Sequence, residues 1–175
     1  MNKKVLTMAV MAAVCGMAAA PVWAANSGGT VNGDGKFVGN NGAADNRLLI
    51  DEDLSQEIIS GLGTGDDKVQ NNSIEVSAGT ISRNIIGGMS EGDGDIDSNS
   101  ITISGGKMSE AVYGAYTEGS GIVAYNSVTL TDGLLNGEVY GGASTKNGIA
   151  EYNSVTVSGG TINMLATGGV SMDNV

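Results

Sequence analysis

The sequence predicts an all-β fold, a parallel β-helix or β-solenoid that completes about one three-sided coil per repeat. Three observations carry the prediction. First, "NNSIEVSAG", "SNSITISGG", "YNSVTLTDG" and "YNSVTVSGG" begin at Asn71, Ser98, Tyr125 and Tyr152, so the step is 27 residues each time (98−71, 125−98, 152−125). Fixed periods of this length are the mark of solenoids and arrays. Second, glycine recurs inside the unit at a step of nine: Gly79 is followed by Gly88, Gly133 by Gly142 and Gly160 by Gly169. That divides each unit into three edges, each with room for a strand of ~5–6 residues and a corner. Third, the 29 glycines alternate regularly with Val, Ile and Leu, which disordered chains lack. So few aromatic residues, at 4%, argue against a conventional compact core.

Taken in chain order, residues 1–24 form a Sec-type signal peptide. Lys3 and Lys4 supply the basic start, "VLTMAVMAAVCGMAAA" the apolar stretch, and Val22 and Ala24 suit the −3 and −1 positions of a cleavage site. The apolar run is short against the ~20 residues that span a bilayer. Cys15 lies inside this leader behind Val14, where lipid attachment requires a small residue. Cleavage therefore leaves a mature chain without cysteine, hence without disulfides, thiol nucleophile or thiolate ligand. It also leaves 8−2 = 6 basic residues against 19 acidic ones, a net charge of 6−19 = −13. That balance argues against nucleic acid, which needs Lys and Arg, and against an anionic membrane surface. Histidine, the commonest general base and metal ligand, is absent.

Residues 25–44 are rich in glycine and asparagine and form an arm or cap. Residues 45–71 leave two readings open. "NRLLIDEDLS" aligns with the repeat strand only after a one-residue shift, which makes a degenerate first coil. The spacing of Ile50, Leu54, Ile58 and Leu62 also fits an amphipathic helix over residues 46–62 that would cap the stack. Residues 72–175 are the solenoid proper. Its inward columns are Ile74, Ile101, Val128 and Val155; Val76, Ile103, Leu130 and Val157; Ile81, Met108, Leu135 and Ile162; and Ile85, Val112, Val139 and Ala166. No unit can bury its four or five apolar side chains alone, and stacking makes one continuous core. Asn72, Asn99, Asn126 and Asn153 should form a ladder of side-chain amides along the axis. The crossover rule makes the coil right-handed. The last unit stops short of a full repeat, so the chain is expected to be the N-terminal piece of something longer.

Candidate chemistry is sparse. Asp93, Asp95 and Asp97 stand at i, i+2 and i+4, a spacing at which oxygen ligands can hold Ca²⁺. The glycine and the later glutamate of an EF-hand loop are replaced by Ser98 and Ser104, and the next units do not repeat the acids. A solvated acidic corner is the plainer reading, for these three and for Asp66–Asp67 alike. The glycine runs lack the lysine of a phosphate loop. Paired carboxylates for glycoside cleavage need a cleft, and here the acids are scattered over corners. No catalytic, cofactor or metal residue is therefore assigned. Tyr113 and Tyr140 form one aromatic column and Tyr125 and Tyr152 another, fit either to stack on each other or to carry sugars. Thr102, Thr129 and Thr156 make an outward column that Glu75 interrupts.

"NSVTVSGGTI", "NSITISGG" and "GEVYGGAS" resemble the repeats of bacterial autotransporter passenger domains, adhesin-like proteins of Gram-negative-type envelopes. The resemblance spans residues 58–175. It implies a β-helical stalk carried to the cell surface by a C-terminal β-barrel translocator, of which this sequence shows no strands. It brings no catalytic residues. The expected function is an exported, non-catalytic cell-surface scaffold or adhesin with a host or matrix ligand, no nucleic acid partner and no membrane insertion by this part. The alternative is a polysaccharide-active β-solenoid whose catalytic part lies beyond residue 175. A third reading is a Ca²⁺-stabilised secreted repeat protein.

Overall fold

A computed structural model describes residues 28–171; the predicted signal peptide with Cys15, the first residues of the arm and the last four residues of the chain lie outside the described residues. The described chain is all β, and its strands stack into three sheets, parallel except for the antiparallel first strand of one, that form the faces of a solenoid of about five coils.

The long face is built from β3 (Arg47–Ile50), β6 (Ser73–Val76), β10 (Ser100–Met108), β13 (Ser127–Leu135) and β16 (Ser154–Val157). Two short strands, β7 (Thr80–Ile81) and β17 (Thr161–Ile162), extend it beside β10 and β13. The middle face holds β1 (Gly29–Val31), β2 (Phe37–Gly39), β4 (Ile58–Gly63), β8 (Ile85–Ser90), β11 (Val112–Thr117), β14 (Val139–Ser144) and β18 (Ala166–Ser171). The short face consists of two-residue strands: β5 (Val69–Gln70), β9 (Ile96–Asp97), β12 (Val123–Ala124) and β15 (Ala150–Glu151). Ile74 pairs with Ile101, Ile101 with Val128 and Val128 with Val155, so each repeat is one coil and the columns predicted from sequence are in register.

The three edges differ in length more than the nine-residue sub-step suggests. The long face runs for nine residues in β10 and the short face for two in β9. Two kinds of turn cause the difference. In the long face the column Gly79, Gly106, Gly133 and Gly160 adopts φ of 90°, 86°, 112° and 75°, bending β10 and β13 without ending them and separating β6 from β7 and β16 from β17. A Cβ on Gly106 would lie 2.7 Å from the Gly79 carbonyl oxygen of the coil before, so both conformation and stacking exclude a side chain. Between the short and long faces, the left-handed position is held by residues with side chains: Asp45, Asn71, Ser98, Tyr125 and Tyr152, with φ between 53° and 59°. Such a residue costs ~1–2 kcal/mol, so something must hold that corner in place.

The asparagine ladder does so. The residue after each left-handed one is Asn46, Asn72, Asn99, Asn126 or Asn153, and the first four are buried. Each Nδ2 donates to Oδ1 of the asparagine one coil on, at 2.8, 2.8, 2.9 and 3.0 Å. Each backbone N–H of the first four donates to that same oxygen at 2.9–3.0 Å. The second amide proton goes to the corner backbone, as from Asn126 Nδ2 to the Ala124 carbonyl at 2.8 Å. The amides thus satisfy backbone groups that the sharp turn removes from the sheet. Asn46 is a rung that the 27-residue step alone does not predict. It stands 26 residues before Asn72.

That 26-residue offset runs through β3, where Leu48 pairs with Ile74 and Ile50 with Val76. The 27-residue step resumes in β4, where Ile58 pairs with Ile85. Residues 46–62, the alternative helix, therefore hold strand β3 and all but the last residue of β4 instead. The arm ends in a cap: β1 and β2 form an antiparallel hairpin, and β2 lies parallel on β4. Phe37 of β2 fills the open end of the core at 5% exposure.

The ladder can be tested by dilution of its hydrogen bonds. Asn99→Ala strands the Asn72 N–H in the interior, and an unsatisfied buried polar group costs ~1–3 kcal/mol. With the lost amide bonds, urea denaturation should show a loss of about 3–5 kcal/mol. Asn153→Ala, at the half-buried end of the ladder, should cost less than half as much.

Candidate binding surface

The three aspartates singled out by their spacing do not converge. Asp93 Oδ1 accepts hydrogen bonds from the Ser120 backbone N–H (2.8 Å) and Oγ (2.9 Å), one coil away. Asp95 Oδ1 accepts from the Ile122 N–H at 2.9 Å, again one coil on. Asp97 pairs with Lys68 Nζ at 2.8 Å and accepts a short hydrogen bond from Ser98 Oγ. Each carboxylate ties two coils together or closes a corner. Among the described residues no three acidic, His or Cys groups gather where they could share a metal ion. Asp67 folds back on its own turn, where Oδ2 accepts from Thr64 N–H and Oγ1.

These bonds set the charge states. The hydrogen bonds from Ser120 hold the Asp93 carboxyl below its usual range. The bond from Lys68, then that from Ser98, does the same for Asp97, and the Lys68 ammonium is raised in return by Asp97. On the middle face the Tyr140 hydroxyl donates to Glu138 Oε2 at 2.6 Å. That bond first, then burial and the Glu138 charge, push the phenol up to about 12. Burial, helped by nearby Tyr116, Glu138 and Glu57, raises Tyr113 as well.

Both tyrosine columns stack on themselves. Tyr113 and Tyr140 lie 5.2 Å apart between ring centroids with planes 8° from parallel, and Tyr125 and Tyr152 lie 5.1 Å apart at the same angle. The ring faces that would carry a sugar between coils are thus turned toward one another. The threonine column lies outward on the long face, beside a shallow groove of about 260 Å³ lined by Glu75, Ser77, Thr102 and Ser104. The two serine hydroxyls of the groove bond to backbone: Ser77 Oγ donates to the Ile50 carbonyl at 3.4 Å and Ser104 Oγ to the Val76 carbonyl at 3.3 Å. Glu75 is paired with Arg47 at 2.8 Å.

A second surface feature was not predicted. The outer side of the middle face is apolar. Ile59, Ile86 and Met89 form a buried cluster of their own, separate from the core, with Leu62, Tyr113 and Tyr116 packed against it. All six residues of β8 are buried. The signal was present in the adjacent apolar pairs "NIIGG" and "EVYGG", since one member of each pair must face outward in a strand. Beside this cluster lies a hollow of about 200 Å³, lined by apolar Ile86 and Met89, aromatic Tyr113 and Tyr116, and charged Lys36, Glu57 and Glu118. Lys36 Nζ sits 3.6 Å from Glu57 and 3.8 Å from Glu91, its side chain one-quarter exposed.

No protein-family model, curated protein or solved structure matches this chain. Among the described residues no helix is long and apolar enough to cross a membrane.

Two solution tests follow from the site chemistry. Asp93 and Asp97 have folded-state pKa values below the unfolded ones, so their contribution is present above ~4 and is lost as pH falls through the depressed values. Lys68 and Tyr140 are raised, so theirs is complete below the unfolded pKa of ~10 and is lost as pH climbs through the folded values, about 12 for Tyr140. Without histidine, thermal melts should give a flat midpoint from about pH 5 to 9 and a decline on both sides. The same melts with and without a Ca²⁺ chelator should coincide. A fall of the midpoint with chelator would return the aspartates to a metal role.

Proposed function

We propose that this chain is the N-terminal part of an exported, non-catalytic surface scaffold or adhesin of the autotransporter-passenger class. In this reading a C-terminal β-barrel carries the solenoid to the outside of the cell, where its rows of outward side chains meet a host or matrix ligand. The observation that carries the reading is the use made of the polar side chains. The carboxylates with the right spacing for a site, Asp93, Asp95 and Asp97, each go to a different partner that holds the stack together. A chain so organised works as a rigid rod, and its stability comes from repetition instead of disulfides. The basic leader with its apolar stretch and the cysteine-free remainder suit passage through an oxidising compartment.

The test is localisation of the full-length gene product in a Gram-negative-type host, with an epitope inserted at Lys146–Asn147 in the exposed turn after β14. The mature N-terminus should be found at Ala25, and protease added to intact cells should remove the epitope. An uncleaved product starting at Met1, or an epitope that is protected until cells are lysed, would end this reading.

A further inference from the structure

We propose that the hollow on the outer side of the middle face is a binding site for an aliphatic primary ammonium of about the length of a lysine side chain. The chain itself shows the chemistry. Lys36, from the turn of the N-terminal hairpin, already places an ammonium between Glu57 and Glu91 beside the apolar cluster. The hollow is lined by that lysine and by the tyrosines of the third coil. Its apolar lining, Ile86 and Met89, suits a hydrocarbon stem. Its wall, Tyr113 and Tyr116, with rings 5.2 Å apart and tilted by 58°, offers π-faces and edges to a cation. Its lining sets one ammonium, Lys36, against two carboxylates, Glu57 and Glu118, and Lys36 is further neutralised by Glu91 at 3.8 Å, so the local balance is negative even with Lys36 in place. At ~30 Å³ per water, a volume of about 200 Å³ accommodates a four-carbon ammonium after loss of a few waters. An anion would meet the wrong charge, and a neutral alcohol could offer the carboxylates a hydrogen bond but no charge.

The ligand is defined by this chemistry, and it has two sources: a free amine or the lysine of a partner protein. The inference concerns the isolated chain and holds whether or not the chain is exported, so its failure leaves the proposed localisation untouched.

The experiment is a titration of the full chain with n-butylammonium, read by NMR at the ring protons of Tyr113 and Tyr116, with n-butanol as the neutral counterpart. Saturable shifts with butylammonium and none with butanol are expected. Glu118→Gln should weaken binding by about threefold, the scale of one exposed charge contact, and Tyr116→Leu by a similar factor. Lys36→Met keeps the stem but vacates the ammonium seat between Glu57 and Glu91, and should tighten binding about threefold or more. Backbone spectra check that each variant keeps the fold; if Lys36→Met does not, Glu118→Gln and Tyr116→Leu decide. A Gly-Lys-Gly peptide forms the second arm: binding as tight as butylammonium assigns the seat to protein lysines, and binding of butylammonium alone assigns it to free amines. Absence of saturation, equal shifts with butanol, or unchanged affinity in both Glu118→Gln and Tyr116→Leu would overturn the proposal.

Discussion

Every coil of this protein rests on the coil before it through hydrogen bonds that run along one axis, and the asparagine ladder is where that constraint is tightest. The corner between the short and long faces turns the chain in a single left-handed residue, as at Ser98 with φ of 58°. So sharp a turn leaves carbonyl and N–H groups pointing into the interior with no strand partner. The carboxamide is well matched to the position, since it offers two donors and an acceptor that can take more than one bond. Asn99 uses them all: it accepts from Asn72 twice and donates to Asn126 and to the carbonyl groups of Val69 and Asp97. Aspartate would lack the donors, and leucine would satisfy nothing. The ladder is also ordered, since each amide donates toward the C-terminal end of the stack, and its first rung, Asn46, is closed by the Asn41 N–H at 2.7 Å.

The glycines follow from the same amides. Gly88 faces the ladder from the middle face, and a Cβ there would come within 2.6 Å of Asn99 Nδ2. The polar row and the glycine column are one device seen from two sides: a close approach on one face makes room for a buried amide on another. Apolar packing then fills what is left. Because identical columns lie directly over each other, Ile74, Ile101, Val128 and Val155 each need only accept a neighbour of nearly their own shape. Three of the five ion pairs among the described residues are likewise made one coil apart, Arg47 to Glu75, Lys68 to Asp97 and Arg83 to Glu110. Exposed as they are, each adds little alone, and their common direction repeats the logic of the stack.

This explains which parts were legible in the sequence. Whatever is enforced by stacking recurs at step 27, so the core columns, the left-handed glycines and four of the five ladder rungs could be read from spacing alone. Asn46 was hidden because the first coil is one residue shorter, and the loss falls just after β3, between Ile50, which pairs with Val76, and Leu54, which pairs with Ile81. The unequal faces were hidden for another reason. Glycine at a step of nine marks places where backbone comes close, and close approach occurs inside a face at Gly88 as well as at a bend at Gly79. The outer apolar cluster was missed because an alternating strand is assumed to turn its second face to water, whereas β8 buries both. For the aspartates the spacing alone said little: i, i+2, i+4 brings ligands together only in a loop that curls around an ion, and here Asp93 and Asp95 bond to the coil after them while Asp97 pairs with Lys68 of the coil before.

The corner column shows why the surface is harder to read than the core. Asp45, Asn71, Ser98, Tyr125 and Tyr152 share one backbone conformation within a few degrees. Their side chains have nothing else in common. The ladder behind them fixes the turn, so the residue in front is free to be acidic, polar or aromatic, provided it tolerates positive φ. Aspartate, asparagine and serine do so with help from their own short polar side chains. The two tyrosines have no such help, and each is more than 60% exposed. Their parallel contact at 5.1 Å supplies part of what the conformation costs. The same decoupling operates on the middle face, where Ile59, Ile86, Tyr113 and Tyr140 occupy one outward column. The step from isoleucine to tyrosine between the second and third coils is a departure from the repeat made on the outside alone, and the hollow lined by Ile86 and Tyr113 lies at that step.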